Sequence, residues 1–164
     1  MKKLLITTFF LAFTIISYAQ DQTTFILVRH AEKADDGTRN PPLNEEGKER
    51  SSYLAELLSR QEIDGLYSTP FKRTMETLRS IADQQGLEIK NYDPLAKKEW
   101  LQTIAEKHSN GTVIISGHSN TIPALANALL GEEKFEQWDE SDYSNLIIIV
   151  AYEVGKGKLV RLKF

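Results

Sequence analysis

The chain has 164 residues, no cysteine and a slight acidic excess, with 23 Asp and Glu against 20 Lys and Arg. Its length fits one domain, and the lack of cysteine excludes disulfides, cysteine nucleophiles and thiolate metal sites. Because its net charge is −3, no general affinity for nucleic acid is expected.

The first 19 residues have the pattern of a secretory signal peptide. Lys2 and Lys3 precede an apolar run over residues 4–16, and small residues follow at Ser17 and Ala19. The run is short for a membrane span, and no basic stop-transfer cluster follows it. The sequence therefore predicts a cleaved signal over residues 1–19 and a single domain over residues 20–164. A periplasmic or extracellular location is expected, with no stable membrane association after cleavage.

The remaining chain alternates short apolar runs with amphipathic stretches. Strands are predicted over residues 24–28, 65–68, 87–92 and 112–116, and residues 31–43 are predicted as a loop. Residues 146–154 and 158–164, joined by the turn 155–157, are predicted to form a C-terminal β-hairpin. The acidic stretch 131–143 shows no clear periodicity and receives no assignment.

Four helices are predicted between these strands. They start at Asn44 as cap, at Thr69-Pro70 with Thr69 as cap, after Pro94, and near Ser119. The expected inward-facing residues, in chain order, are Tyr53, Leu54, Leu57, Leu58, Phe71, Met75, Leu78, Ala82, Leu101, Ile104, Ala105, Ile122, Leu125, Ala126 and Leu129.

This alternation predicts one α/β domain of three layers, with a mostly parallel central sheet flanked by helices. In such sheets, ligands bind beyond the carboxyl ends of the strands. His30 and His118 follow the two most apolar strands, and Arg29 precedes His30. If both strands are central and parallel, these side chains meet at one sheet edge. His108 continues the inward face of a helix and is interpreted as structural.

Arg73 adds another cation to this edge. It lies in the first turn of the helix that starts at Pro70, where a positive charge opposes the helix dipole. His118 lies just ahead of another helix start. Several cations at the ligand-binding edge of a sheet indicate an anionic ligand, and a phosphate dianion fits well.

The segment Val28-Arg29-His30-Ala31-Glu32 resembles the arginine–histidine signature of the histidine phosphatase superfamily, although that family often has glycine at the position of Ala31. Residues 43–47, 67–77 and 115–119 resemble its next helix start, the segment of its second pocket arginine and its second-histidine motif. The resemblance implies a phosphoglycerate mutase-like fold in a small secreted bacterial member. It also implies a phosphohistidine intermediate without metal or cofactor, and catalytic or phosphate-binding roles for Arg29, His30, Arg73 and His118.

The chemistry of these residue types agrees with those roles. A nucleophilic imidazole must be neutral, and nearby guanidinium groups disfavour its protonated form. Arginine donates two hydrogen bonds at once to phosphate oxygens, so preorganised arginines can stabilise the transferring group. Phosphorylation and dephosphorylation of His30 would divide the hydrolysis into two steps.

The proton donor is less clearly marked. Ser119 stands where some members of the family have an aspartate after the second histidine. Asp93 is the first candidate, followed by Glu99 and Glu32, and the reaction could also proceed without a dedicated acid. Asp93 could equally serve only as a cap for the helix after Pro94.

These observations predict a phosphatase for phosphate monoesters, either small molecules or phosphorylated protein side chains. A mutase and a phosphohistidine phosphatase are less favoured, because their substrates are expected in the cytoplasm. The alternative from another class is a module that binds phosphate or sulfate without catalysis. Residues 31–43 and 131–143 are expected to form the rim of the site, and neither carries a recognisable ligand signature. The sequence reveals neither the physiological substrate nor the oligomeric state.

Overall fold

A computed structural model describes residues 21–96 and 98–164, so the predicted signal peptide lies outside the described residues. Within these ranges, no helix is both long and apolar enough to cross a bilayer. The elements, in chain order, are β1 (Thr23–Arg29), α1 (Glu45–Leu57), β2 (Gly65–Ser68), α2 (Lys72–Gln85), β3 (Ile89–Asn91), α3 (Lys98–Lys107), β4 (Thr112–Gly117), α4 (Thr121–Leu130), β5 (Asn145–Ala151) and β6 (Lys158–Lys163).

The six strands form one sheet in the order β3-β2-β4-β1-β5-β6. The first four strands of that order run parallel, and the C-terminal hairpin β5-β6 joins the sheet antiparallel to β1. Strands β1 and β4 are neighbours, with Arg29 opposite Gly117 in the register. The prediction of a mostly parallel α/β sheet with a terminal hairpin is confirmed, and the segments that carry His30 and His118 leave the sheet side by side.

The helices cover the two faces of the sheet, because alternate residues of the buried strands point to opposite sides. Phe25 and Leu27 of β1 pack in a core cluster with residues of α3 and α4. Ile26 and Val28 pack in the other cluster, with residues of α1 and α2. This gives the predicted three layers.

Helix α1 has the predicted cap but a different buried face. The Asn44 side chain accepts a hydrogen bond from Gly47 N at 2.8 Å, whereas Tyr53 and Leu57, predicted to face inward, are 50% and 45% exposed. Ser51 lies in the buried stripe instead, because its hydroxyl donates to backbone carbonyls of α2. A buried serine with hydrogen-bond partners therefore lies on the inward face of α1, at a position that hydrophobic patterning does not predict.

Helix α2 begins at Lys72, so the prediction of a start at Thr69-Pro70 is wrong. Phe71 is the N-cap, with extended backbone and no side-chain capping bond. Thr69 cannot cap the helix, because its hydroxyl is bonded to Thr74 and His118. The buried stripe is correspondingly rotated: Phe71 and Met75 are half-buried, and the buried positions are Thr74, Thr77, Leu78, Ile81 and Ala82.

The other elements follow the sequence more closely. Strand β3 has only three residues and is shorter than predicted. Helix α3 buries Leu101 and Ile104, while Ala105 is half-buried. Helix α4 buries all four predicted positions and ends at Gly131, whose φ of 75° is the left-handed conformation that favours glycine. Residues 131–144, called the 131–144 segment below, have no regular secondary structure.

Candidate active site

His30 lies directly after β1, with its backbone N bonded to the Gly117 carbonyl at 2.9 Å. Its ring Nδ1 is 2.8 Å from the Ala31 carbonyl oxygen. A carbonyl oxygen only accepts, so Nδ1 carries the proton and the lone pair lies on Nε2. The ring is therefore held in the tautomer that a nucleophilic imidazole needs.

The electrostatic environment keeps His30 neutral. The pKa of His30 is lowered to about 3, chiefly by burial and also by the charges of Arg29 and Arg73, against an opposing contribution from the Ala31 hydrogen bond. The sequence analysis attributed the neutral form to the arginines, whereas burial has the larger effect. At neutral pH the Nε2 lone pair of His30 is free to react.

The loop after His30 is tied to helix α2 through one hydroxyl. Thr77 Oγ1 accepts from Ala31 N at 2.9 Å and donates to the Arg73 carbonyl at 2.7 Å. Because the two bonds share one atom, the position of the His30 loop depends on the first turns of α2. Thr77 thereby links the segments that carry His30 and Arg73.

Arg29 is enclosed by protein. Its side chain is 0% exposed, and its Nη1 donates to the backbone carbonyls of Asp139 and Asp142 at 2.9 and 3.2 Å. Its Nη2 donates to Glu140 Oε2 at 2.7 Å, and its guanidinium lies 4.2 Å from the centre of the Tyr143 ring. All four partners belong to the 131–144 segment, so Arg29 anchors that segment over the ends of β1 and β4.

Arg73 is much less engaged. Its Nη2 lies 3.5 Å from His118 Nδ1, and its guanidinium is 4.7 Å from the centre of the Phe71 ring. Burial lowers its pKa, although an arginine remains charged in proteins. In the described part of the chain, the Nε–H groups of Arg29 and Arg73 are buried without a hydrogen-bond partner. They are donors that an anion could use.

His118 faces both Arg73 and Thr69. Thr69 Oγ1 donates to Thr74 Oγ1 at 3.0 Å, so it accepts from the Nε2–H of His118, also at 3.0 Å. Burial lowers the pKa of His118 to about 4, assisted by the charges of Arg73 and Arg29. The ring centres of His30 and His118 are 5.5 Å apart, so the two histidines predicted to meet do meet.

These residues surround an open cavity of about 410 Å³. His30, Arg73 and His118 line it, and the lining residues come from five separate segments of the chain. The remaining lining residues are Lys33, Phe71, Pro94, Leu95, Ser119, Asn120, Thr121, Gln137 and Glu140.

The three carboxylates predicted as proton donors do not line this cavity. Both oxygens of Glu32 accept from Arg50, at 2.7 to 2.9 Å. Asp93 Oδ1 accepts from Leu95 N at 2.8 Å, within a turn that precedes the start of α3 at Lys98, so Asp93 does not cap that helix as the alternative had it. Glu99 is exposed in the first turn of α3. His108, predicted to be structural, bonds to the Tyr67 hydroxyl at 2.8 Å.

Residues 131–143 were expected at the rim of the site, and Gln137 and Glu140 line the cavity, but sequence reasoning did not single out Glu140. Glu140 lines the cavity, and its carboxylate accepts from Arg29 and from the Ser119 hydroxyl. Its only signal in the sequence was the density of acidic residues around Trp138, and that density does not distinguish Glu140 from its acidic neighbours. Across residues 21–96 and 98–164, no group of three or more His, Asp or Glu side chains is arranged to hold a metal ion.

Comparison with known proteins gives one family and several related phosphatases. The model of the histidine phosphatase superfamily (branch 1) matches residues 25–96. Phosphoserine phosphatase 1 of Hydrogenobacter thermophilus is 27% identical, over 73% of this chain and 83% of its own. These two matches come from sequence alone.

Solved structures share the fold. The protein histidine phosphatase SixA, complexed with tungstate, superposes with a TM-score of 0.71 at 20% identity, covering 85% of this chain and 96% of that one. A phosphoserine phosphatase of Entamoeba histolytica superposes with a TM-score of 0.68 at 15% identity, covering 87% and 97%. The sequence matches and the shared fold agree, and the chain is similar to members of the histidine phosphatase superfamily.

Proposed function

We propose that this chain hydrolyses phosphate monoesters through a phosphohistidine intermediate on His30, without a metal ion. The match to the histidine phosphatase model over residues 25–96 and the phosphatases among the similar proteins support its being a phosphoric monoester hydrolase. The observation that carries the mechanism is the state of His30: its Nδ1–H is held by the Ala31 carbonyl, and its neutral Nε2 lies in a cavity with Arg73 and His118.

In the first step, Nε2 of His30 attacks phosphorus while the bond to the leaving oxygen breaks. Negative charge spreads over the three other phosphate oxygens, where the free Nε–H groups of Arg29 and Arg73 can donate. A bound dianion also favours protonated His118, whose Nδ1 would then be a further donor. In the second step, water attacks the phosphohistidine, and His30 leaves as a neutral imidazole.

Two substrate classes are consistent with the relatives. Phosphoserine is named for one relative and protein histidine phosphatase activity for another. The cavity is open to solvent and its rim includes the exposed Leu95, so both a small ester and a phosphorylated side chain could enter. A panel containing phosphoserine, other phosphate esters and a phosphohistidine peptide would distinguish the classes.

The test of the function is hydrolysis of p-nitrophenyl phosphate in the presence of EDTA. The wild type is expected to turn over, and His30→Ala to lose nearly all kcat with the fold intact, because His30 follows β1 and lines the cavity. An active His30→Ala variant would indicate direct attack by water. Phosphate binding by a wild type that never turns over would favour the alternative of a non-catalytic phosphate- or sulfate-binding module.

We also propose that the protein is exported and that the mature chain lacks residues 1–19. The proposal depends on the basic start, the apolar run and Ala19. N-terminal sequencing of protein recovered from the native cells is expected to begin at Gln20. An intact Met1 on cytoplasmic protein would contradict it.

A further inference from the structure

The cavity around His30 needs a proton donor for leaving groups that are poor as anions, and one carboxylate is placed for that task. A general acid must come within hydrogen-bond reach of the leaving oxygen. Among the described residues that line the cavity, Glu140 is the only Asp or Glu. Glu32, which pairs with Arg50, and Asp93, which bonds to the backbone of its own turn, are not among the lining residues.

Glu140 is held in place by the ends of both histidine-bearing strands. Its Oε2 accepts from Arg29, which precedes His30, and its Oε1 accepts from Ser119, which follows His118. The backbone on either side is fixed as well, because the carbonyls of Asp139 and Asp142 accept from Arg29. The carboxylate is therefore fixed relative to the two segments that carry the histidines.

Glu140 is nevertheless accessible. Its side chain is 65% exposed, whereas that of its partner Arg29 is 0% exposed. Substrate and water can reach the carboxyl group from the cavity, and the Arg29 and Ser119 contacts keep it from turning away. A purely structural partner of a buried arginine has no need to lie on the open side of the cavity.

We propose that Glu140 is the proton donor and acceptor of the reaction, an inference that rests on the proposed phosphatase function. When a phosphate dianion enters beside the carboxylate, repulsion between like charges favours the protonated form of Glu140. As Nε2 of His30 forms its bond to phosphorus, the ester P–O bond breaks. The leaving oxygen keeps that electron pair and takes the proton from Glu140, which gives an alcohol, phosphohistidine and a Glu140 carboxylate.

The same carboxylate then serves the second step. Water attacks phosphorus and passes a proton to Glu140, while the P–N bond breaks and returns its electron pair to Nε2 of His30. The products are inorganic phosphate, neutral His30 and protonated Glu140. The sum of both steps is ester plus water giving alcohol plus phosphate, and no further reactant is needed.

Glu140→Gln tests the proposal through the leaving group. The amide keeps the size of the carboxyl and an oxygen for Arg29, but it cannot donate a carboxylic proton. We expect kcat/KM for an alkyl phosphate such as phosphoserine to fall about 100-fold, and that for p-nitrophenyl phosphate to fall only a few-fold, because nitrophenolate leaves without a proton. Glu136→Gln, the same change at an exposed position of the 131–144 segment, is the matched control and should match the wild type on both esters.

Three results would overturn the assignment. Equal losses on both esters would make Glu140 a positioning residue for Arg29. Full activity on the alkyl ester, together with tighter binding of inorganic phosphate, would mean that Glu140 only competes with phosphate for Arg29. A leaving-group-dependent loss in Asp93→Asn instead would make Asp93 the acid. A wild type inactive on both esters would overturn the phosphatase function as well, so the two failures are distinguishable.

Discussion

The two arginines whose charges act on His30 differ in how much of their hydrogen-bonding capacity the protein uses. Arg29 donates to three partners in the 131–144 segment and is fully buried. Arg73 has one long contact with His118 and an aromatic neighbour, Phe71. We infer that Arg29 supports both the fold and the substrate, whereas Arg73 is positioned chiefly for the substrate.

The largest effect that this contrast predicts is on catalysis in Arg73→Ala. Loss of one preorganised cation that stabilises transition-state charge should lower kcat/KM by roughly 100- to 1,000-fold. Without ligand, the Tm should not fall, because Arg73 opposes the dipole of its own helix. Added phosphate or vanadate should raise the Tm of the wild type but much less that of the variant.

Arg79→Ala is the control for this experiment, because Arg79 is an exposed arginine on the same helix. Its kinetics and its Tm should match those of the wild type. If Arg73→Ala instead melts far lower without ligand yet hydrolyses normally, the contrast between the two arginines fails and Arg73 is structural.

Arg29→Ala should act mainly on stability. The change leaves the carbonyls of Asp139 and Asp142 without their donor and removes a fully buried side chain. We expect a loss on the order of 3 kcal/mol in the free energy of unfolding, measured by urea denaturation. Hydrogen exchange should increase in the 131–144 segment. A variant as stable as the wild type would show that Arg29 does not anchor this segment.

The pH dependence of the free energy of unfolding should reflect the protonation of His118. The pKa of His118 is lowered to about 4, so between pH 6.5 and 4 the unfolded chain binds a proton that the folded chain does not. Stability is therefore present above pH 6.5 and lost as the pH falls through this window. The loss from His118 is on the order of 2 kcal/mol, because solvent reaches part of its ring.

His118→Asn isolates this contribution, because the acidic groups titrate alike in both proteins. The stability of the variant, measured by urea denaturation at several pH values, should fall less steeply than that of the wild type from pH 6.5 to 4. Parallel curves would indicate that His118 is not held neutral by its surroundings.

A smaller effect is expected at Thr77, which links the two halves of the site. Thr77→Val removes the acceptor of the buried Ala31 N–H at constant size, which should cost about 1–2 kcal/mol of stability. It should also lower kcat a few-fold, because the His30 loop loses its tie to α2. Thr77→Ser keeps the hydroxyl and should restore kcat, and failure of that rescue would make the methyl group, rather than the hydrogen bond, important.

Part of the site could be predicted from the sequence, namely the part whose position depends on local pattern. Residues 24–28 and 112–116 are apolar runs buried on both faces, a pattern that indicates central parallel strands. That pattern brought His30 and His118 to one edge, and a helix start brought Arg73 there. Each of these positions depends on local sequence and on a rule of sheet topology.

The position of Glu140 does not follow from any such local pattern. Its segment has no hydrophobic periodicity, and its position depends on Arg29, which is 111 residues away along the chain. The roles of Ser51 and Thr69 were not predicted for a related reason. Both are polar side chains whose roles are set by hydrogen bonds to other elements. Asp93 was chosen because it follows the third predicted strand, with Glu99 and Glu32 as further candidates, and position along the chain does not show which carboxylates line the cavity.

The most direct test of the mechanism is to trap the phosphoryl group on His30. The wild type is mixed with an isotopically labelled phosphate ester, quenched in alkali within milliseconds, and digested for peptide mapping. The account predicts a base-stable, acid-labile phosphoryl group on the peptide that contains His30, formed at least as fast as kcat and absent from His30→Ala. Turnover without any labelled protein, or label on another residue, would contradict it.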